Sequence, residues 1–168
     1  SAIDGSLPFL HFFDGFRTSH ELNKVSLVNE GEIRNLIDYN KVYEFKNRAL
    51  NLGKEITRGT SQTGDVYFQN TEVRNTYYDK MPSIVLKNME KINKIAGTNY
   101  KPFNYYGHKY ATKVIIAMGS VCDTIRSVVD ELNNKGDKVG MVEVHLYRPF
   151  SKEYLLKELP ASTEAIAV

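Results

Sequence analysis

The sequence predicts an α/β fold, a three-layer α/β/α sandwich around a mainly parallel sheet, with an irregular N-terminal appendage. Three observations carry this. From about residue 66, amphipathic helical stretches and strand-length apolar runs alternate with short connections. The run from Lys113 to Met118 is apolar almost throughout, as a strand buried on both faces should be. Residues 1–65 show no such alternation. The predicted division is therefore 1–65 and 66–168.

Within the first region, Pro8 to Phe13 is an apolar run of strand length, ended by the turn pair Asp14 and Gly15. Ser19 is placed to cap a short helix starting at His20 and Glu21. Asn29 is placed to cap another, with Glu30 and Glu32 at the positive end of its dipole and Ile33, Leu36 and Ile37 as its buried stripe. A short helical piece is expected over 42–50. Residues 58–65, from Arg58 and Thr60 to Asp65, are rich in turn formers and read as a surface connector.

The second region opens with a helix over 79–96. Pro82 lies near its first turn, Gly97 stops it, and Val85, Met89, Ile92 and Ala96 share one face. A polar, aromatic loop is expected over 99–109. A strand over 113–118 is followed by a helix over 121–134, striped by Val121, Ile125, Val128 and Leu132. A strand over 139–146, a helix over 151–158 and a strand from near Thr163 complete a β-α-β-α-β order. The ending Ala165 to Val168 reads as a strand cut in mid-course, so the chain is expected to be a piece of a larger polypeptide.

Composition narrows the function classes. A net charge of +2 is too small to argue for nucleic acid or an anionic membrane. Cys122 is the one cysteine, which excludes an internal disulfide and an iron–sulfur cluster built from this chain alone. A reducing compartment is expected. No apolar run approaches the roughly 18 residues of a membrane span, and no signal-peptide pattern is visible.

Candidate chemistry is sparse. The turn Met118, Gly119, Ser120 leads from strand to helix, where parallel sheets often bind ligands. It has one glycine and no phosphate-loop pattern, so the plainer reading is a tight turn with Ser120 as helix cap. Cys122, in the first turn of that helix, lacks a nearby base and reads as a packed thiol. His11, His20, His108 and His145 show no metal-ligand spacing. Asp14, Arg17, His20 and Glu21 form the densest polar cluster. Asp14 and Arg17 are expected to pair across the turn, while Arg17 also suits an anion. Arg148, before Pro149, faces a partner surface or forms a local ion pair. The aromatics between Tyr100 and Tyr110 suit either an interface or their own core. No catalytic, cofactor-binding or metal-binding residue is assigned; Asp14, Arg17, His20, Glu21 and Arg148 are candidate domain-junction or substrate-side contacts.

Three stretches resemble one family. Pro8 to Glu21, carrying Phe12, Phe13, Asp14, Gly15, Phe16, Arg17, Thr18, Ser19 and His20, resembles a signature of the pyruvate:ferredoxin (flavodoxin) oxidoreductases. Arg58 to Gln62 with Asp65 to Gln69 resembles the connector that follows it. Leu146 to Phe150, after Met118 to Ser120, resembles their transketolase C-terminal-like domain. The resemblance implies that 1–65 is the tail of a pyrimidine-binding domain plus connector and that 66–168 is the second domain. It implies a parent enzyme that converts pyruvate and coenzyme A to acetyl-CoA using thiamine diphosphate, magnesium and iron–sulfur clusters. Ferredoxin or flavodoxin would accept the electrons. The parent would be a homodimer in the cytoplasm, or in a hydrogenosome in an anaerobic protist. Gly64-Asp65 is followed by Val66, and Asn133-Asn134 reads as a fraying helix end, so no thiamine diphosphate motif is present. The expected role is scaffold and interface. The alternatives are an independent flavin- or nucleotide-binding module, using the Met118 to Ser120 turn and the Val144 to Tyr147 edge, or an interaction domain of another complex.

Overall fold

The structure is a computed structural model that describes residues 1–168 except Arg17, Asn23, Arg58 and Thr60. The expectations on Arg17, Arg58 and Thr60 lie outside the described residues.

The sheet is four-stranded and mixed, built from β1 (Phe103–Gly107), β2 (Lys113–Ala117), β3 (Val139–Val144) and β4 (Ala165–Ala167) in the order β1-β3-β2-β4. β2 pairs in parallel with both β3 and β4, and β1 runs antiparallel to β3. The expected loop over 99–109 is therefore corrected: half of it is an edge strand. Its side chains alternate, Phe103 and Tyr105 to one face and Tyr106 to the other. A short aromatic run lacks a distinctive period, and only the free edge of β3 makes it a strand.

Two crossovers explain the layers. β2 leads through α7 (Val121–Asn134) to β3 on one side, and β3 leads through α8 (Lys152–Glu158) to β4 on the other. With right-handed crossovers, opposite directions of travel place the two helices on opposite faces. Val114, Val142 and Phe103 pack under Tyr154 and Leu155 of α8. Met141, Ile115 and Ala117 pack under Cys122, Ile125 and Val129 of α7. Each fully buried side chain of this size contributes about 1.5–3 kcal/mol. Asn133 is no fraying end: its amide accepts from and donates to the Val139 backbone, both at 3.0 Å, and pins the start of β3.

α6 (Met81–Ala96) carries Pro82 in its first turn and ends at Gly97 with φ +67°. It packs Met81 and Val85 against Leu146, just beyond β3. α1 (Ala2–Gly5) lies on α6, with Gly5 buried against Met81. Asp4 accepts from Lys41 and Asn88, both at 2.9 Å.

The remaining described residues up to 80 are helices and loops without a core. α2 (Glu30–Asn35) forms with the expected cap, Asn29 accepting from the Gly31 amide at 2.7 Å, but the expected stripe is not buried: Ile33 and Ile37 are exposed because no core lies beneath them. α3 (Tyr39–Asn47) starts earlier than 42, because Asp38 accepts from the Asn40 and Lys41 amides and sets the cap. The expected connector over 58–65 gives way at its end to α4 (Gly64–Glu72), opened by Thr63 and Asp65, and α5 (Asn75–Tyr78) follows. The expected strand over 8–13 does not form, since no sheet edge is beside it. The helix at His20 and Glu21 does not form either, because the Ser19 hydroxyl turns back to donate to the Phe16 carbonyl at 3.2 Å. Among the described residues of 1–80, Gly5 alone is buried.

Candidate functional site

The turn from β2 to α7 sits at the carboxyl end of the parallel strands, where amides of the first helical turn lack intrahelical partners. Gly119 makes the turn with φ +86°, a conformation that disfavours side chains. Asp14, from the loop 106 residues earlier, fills the position above it. Its Oδ1 accepts from the Ser120 amide at 3.1 Å, and its Oδ2 accepts from the Ser120 hydroxyl. These two bonds hold the Asp14 carboxyl below its ordinary range. A β-carbon on Gly119 would stand 3.1 Å from Asp14 Oδ1, so glycine also keeps this space clear. Ser120 was expected to cap α7 with its own side chain. It makes no such cap bond, because its hydroxyl donates outward to Asp14.

Beside this contact, Cys122 is 1% exposed, and burial pushes its thiol up to about 11, with Glu143 adding to the effect. It is a packed thiol, as expected. Glu143, level with Ala117 in the β2–β3 register, forms an ion pair with Arg126 of α7. The Arg126 guanidinium lies 5.0 Å from the Tyr106 ring centre. Tyr106 donates to Asp130 at 2.7 Å, which raises the tyrosine's pKa. His145 Nε2 is 3.8 Å from Glu143 Oε1, and its ring meets Tyr100 edge-on at 5.4 Å. The His145 Nδ1 atom is buried without a partner.

The other candidates are scattered. His20 Nδ1 lies 2.6 Å from the Phe16 carbonyl and its ring is 5.1 Å from Phe16, so it braces its own turn. Glu21 is exposed and engaged. Arg148 makes no local ion pair among the described residues. Its guanidinium lies over the Tyr147 ring at 5.1 Å, beyond the end of β3 at Val144. No hydrogen bond or ion pair joins Asp14 to His20 or Arg148. Of the aromatics between 100 and 110, Phe103 belongs to the core and Tyr110 is exposed. Sequence reasoning missed the Asp14–Ser120 contact and the Arg126–Glu143 pair. The strand–Gly–Ser–helix turn marked one end of the first, and nothing local marked the other.

The magnesium implied by the resemblance finds no ligand set among the described residues. No group of three or more His, Cys, Asp or Glu among them gathers as metal ligands require. The cleft beside α1, about 290 Å³, is lined by Asp4 and Asp38 with Ser1, Asn88 and Lys91 among apolar groups.

Comparison with known proteins now bears on these observations. The family model described as pyruvate flavodoxin/ferredoxin oxidoreductase, thiamine diphosphate-binding, matches residues 1–90. The model for pyruvate:ferredoxin oxidoreductase core domain II matches residues 111–168. A pyruvate-flavodoxin oxidoreductase of Enterobacter agglomerans is 46% identical over all 168 residues, and a pyruvate:ferredoxin oxidoreductase of Moorella thermoacetica is 44% identical. A pyruvate dehydrogenase [NADP(+)] of Cryptosporidium parvum is 44% identical over 169 aligned residues. The chain spans 14% of the length of the first two relatives and 9% of the third. With a signature loop anchored on a mixed-sheet α/β domain and family matches on both sides of that contact, the chain belongs to the pyruvate flavodoxin/ferredoxin oxidoreductase family.

Proposed function

We propose that this chain is a scaffold and docking segment of a larger pyruvate:ferredoxin/flavodoxin oxidoreductase, and that the reacting groups come from other parts of that polypeptide. The parent would oxidatively decarboxylate pyruvate with coenzyme A to acetyl-CoA. Thiamine diphosphate, when bound elsewhere in the parent, would supply the carbanion chemistry, and iron–sulfur clusters would carry electrons to ferredoxin or flavodoxin. The boundary between the two regions is proposed at 65–66, in the first turn of α4. The second region is proposed to be transketolase C-terminal-like. The parent is proposed to be a homodimer in the cytoplasm, or in a hydrogenosome in an anaerobic protist.

One observation carries this reading: among the described residues of 1–80, helices and loops form without a core of their own, Gly5 alone being buried. Leu10, Phe13, Phe16, Leu22, Val25 and Leu27 are all more than two-thirds exposed. Six such side chains in one segment exceed the scattered apolar residues of an ordinary surface and mark a contact face. Burying each against a neighbour would gain about 1.5–3 kcal/mol. Asp14, His20, Glu21 and Arg148 are proposed as junction contacts rather than as groups that touch substrate.

The test is a parallel assay. The purified chain and the full-length enzyme are each given pyruvate, coenzyme A, thiamine diphosphate, magnesium and a viologen acceptor. Reduction by the full-length enzyme alone is expected. A clear thermal shift of the chain with flavin mononucleotide or coenzyme A would favour an independent ligand module instead.

A further inference from the structure

We propose that Asp14 is an interdomain clamp: its carboxylate ties the loop 8–28 to the β2–α7 turn and fixes the thiamine diphosphate-binding region on core domain II. The two residues of the contact fall in different family matches, Asp14 within 1–90 and Ser120 within 111–168. The contact is bidentate, one carboxylate oxygen to a backbone amide and the other to a hydroxyl. Two parallel bonds set orientation as well as distance.

The surroundings fit the same reading. Among the described residues of 8–28 none lies in a helix or strand, and their apolar side chains are exposed, so packing does not hold the loop. The residue below the carboxylate is Gly119, with a positive φ and no room for a side chain under Asp14. Ser120 turns its hydroxyl away from the helix it begins, so the socket faces the loop. Negative charge at this end of a 14-residue helix is also favoured by the helix dipole. Asp123, Cys122 and, further along the helix, Arg126 are the other ionisable groups of α7 near the contact, and Glu143 faces them from β3. None replaces Asp14 as the acceptor for the Ser120 amide.

This reading needs no turnover, so it is tested on the 168-residue chain itself. In wild type, the Ser120 amide resonance should follow the Asp14 carboxyl as pH falls, and Asp14→Asn should flatten that response. Chymotrypsin should cut at Phe12, Phe13 and Phe16 about threefold to tenfold faster in Asp14→Ala and in Ser120→Ala, the range of one or two modest hydrogen bonds. The double variant should be cut no faster than either single one. Asp123→Asn changes charge in the same helical turn without touching the contact, and should be cut at the wild-type rate. The clamp is overturned if wild type is already cut as fast as an unfolded peptide, if either single variant keeps the wild-type rate, or if the two effects multiply. Equal acceleration by Asp123→Asn would also overturn it, because helix stability rather than the contact would then be responsible.

Discussion

Gly107 stands opposite Gly140 in the β1–β3 ladder, and neither position has room for a methyl group. A β-carbon on Gly107 would lie 2.6 Å from Gly140 Cα and 2.7 Å from the Val139 carbonyl oxygen, where φ is +128°. A β-carbon on Gly140 would strike the Tyr105 ring, 2.7 Å from Cζ. That ring is fixed because Tyr105 donates to the His108 carbonyl at 2.6 Å. Gly140→Ala should therefore cost about 1–3 kcal/mol, as overpacking does. Gly107→Ala should cost at least as much, since its obstacle is backbone and its φ is unsuited to alanine. Urea unfolding of both variants checks this, with wild-type midpoints contradicting it.

Acid should loosen α1 from α3. Hydrogen bonds from Lys41 and Asn88 hold the Asp4 carboxyl below its ordinary value of 3.8. A depressed carboxylate contributes stability above the unfolded value and loses it as pH falls through the folded one. The loss thus begins below pH 3.8. Asn88→Ala should move the transition toward the ordinary carboxylate range. Amide chemical shifts of α1 and α3 between pH 2 and pH 6, roughly centred on that range, measure it.

Alkali should act through Cys122. Its thiol is raised from 9.0 to about 11, chiefly by burial. The unfolded chain ionises first, so stability present below pH 9.0 declines between 9.0 and about 11. Cys122→Ala should remove this decline while adding a small, pH-independent packing cost. At neutral pH, thiol reagents should label Cys122 no faster than the protein opens. Rapid labelling would contradict the packed position.

Two core-directed substitutions should differ sharply in the isolated chain. Met141, with no exposure, lies between the sheet and α7. Met141→Ala should cost about 2–5 kcal/mol. Leu22 is fully exposed, so Leu22→Ala should change stability by no more than about 0.5 kcal/mol. In the full-length enzyme the Leu22 variant should become destabilising, because its side chain would then be covered. Thermal unfolding of both polypeptides reads the contrast.

The second region was legible because its elements carry their own punctuation. The helix over 121–134 matches its observed bounds, though its buried face carries Cys122 and Val129 rather than the expected Val121 and Val128, and the run at Val114 to Ala117 announced a strand with packing on both faces. β1 was not legible, since Phe103 to Gly107 becomes a strand only beside the free edge of β3. The apolar run at Leu10 to Phe13 failed in the opposite sense. It has the composition of a strand but no ladder to join, and its apolar side chains are left exposed. At the candidate site, Asp14 and the Gly119–Ser120 turn were each singled out, but their meeting was not, because a pairing across 106 positions leaves no local pattern.

Native-state hydrogen exchange, resolved along the isolated chain and the full-length enzyme, tests most directly whether residues 1–80 are a docking segment. In the isolated chain, amides of β1, β2, β3 and α7 should be strongly protected, and those of 1–80 should exchange within about tenfold of unstructured peptide. In the full-length enzyme the same 1–80 amides should become slow. Protection of 1–80 in the isolated chain equal to that of β3 would contradict it, because the segment would then possess a core without its neighbours.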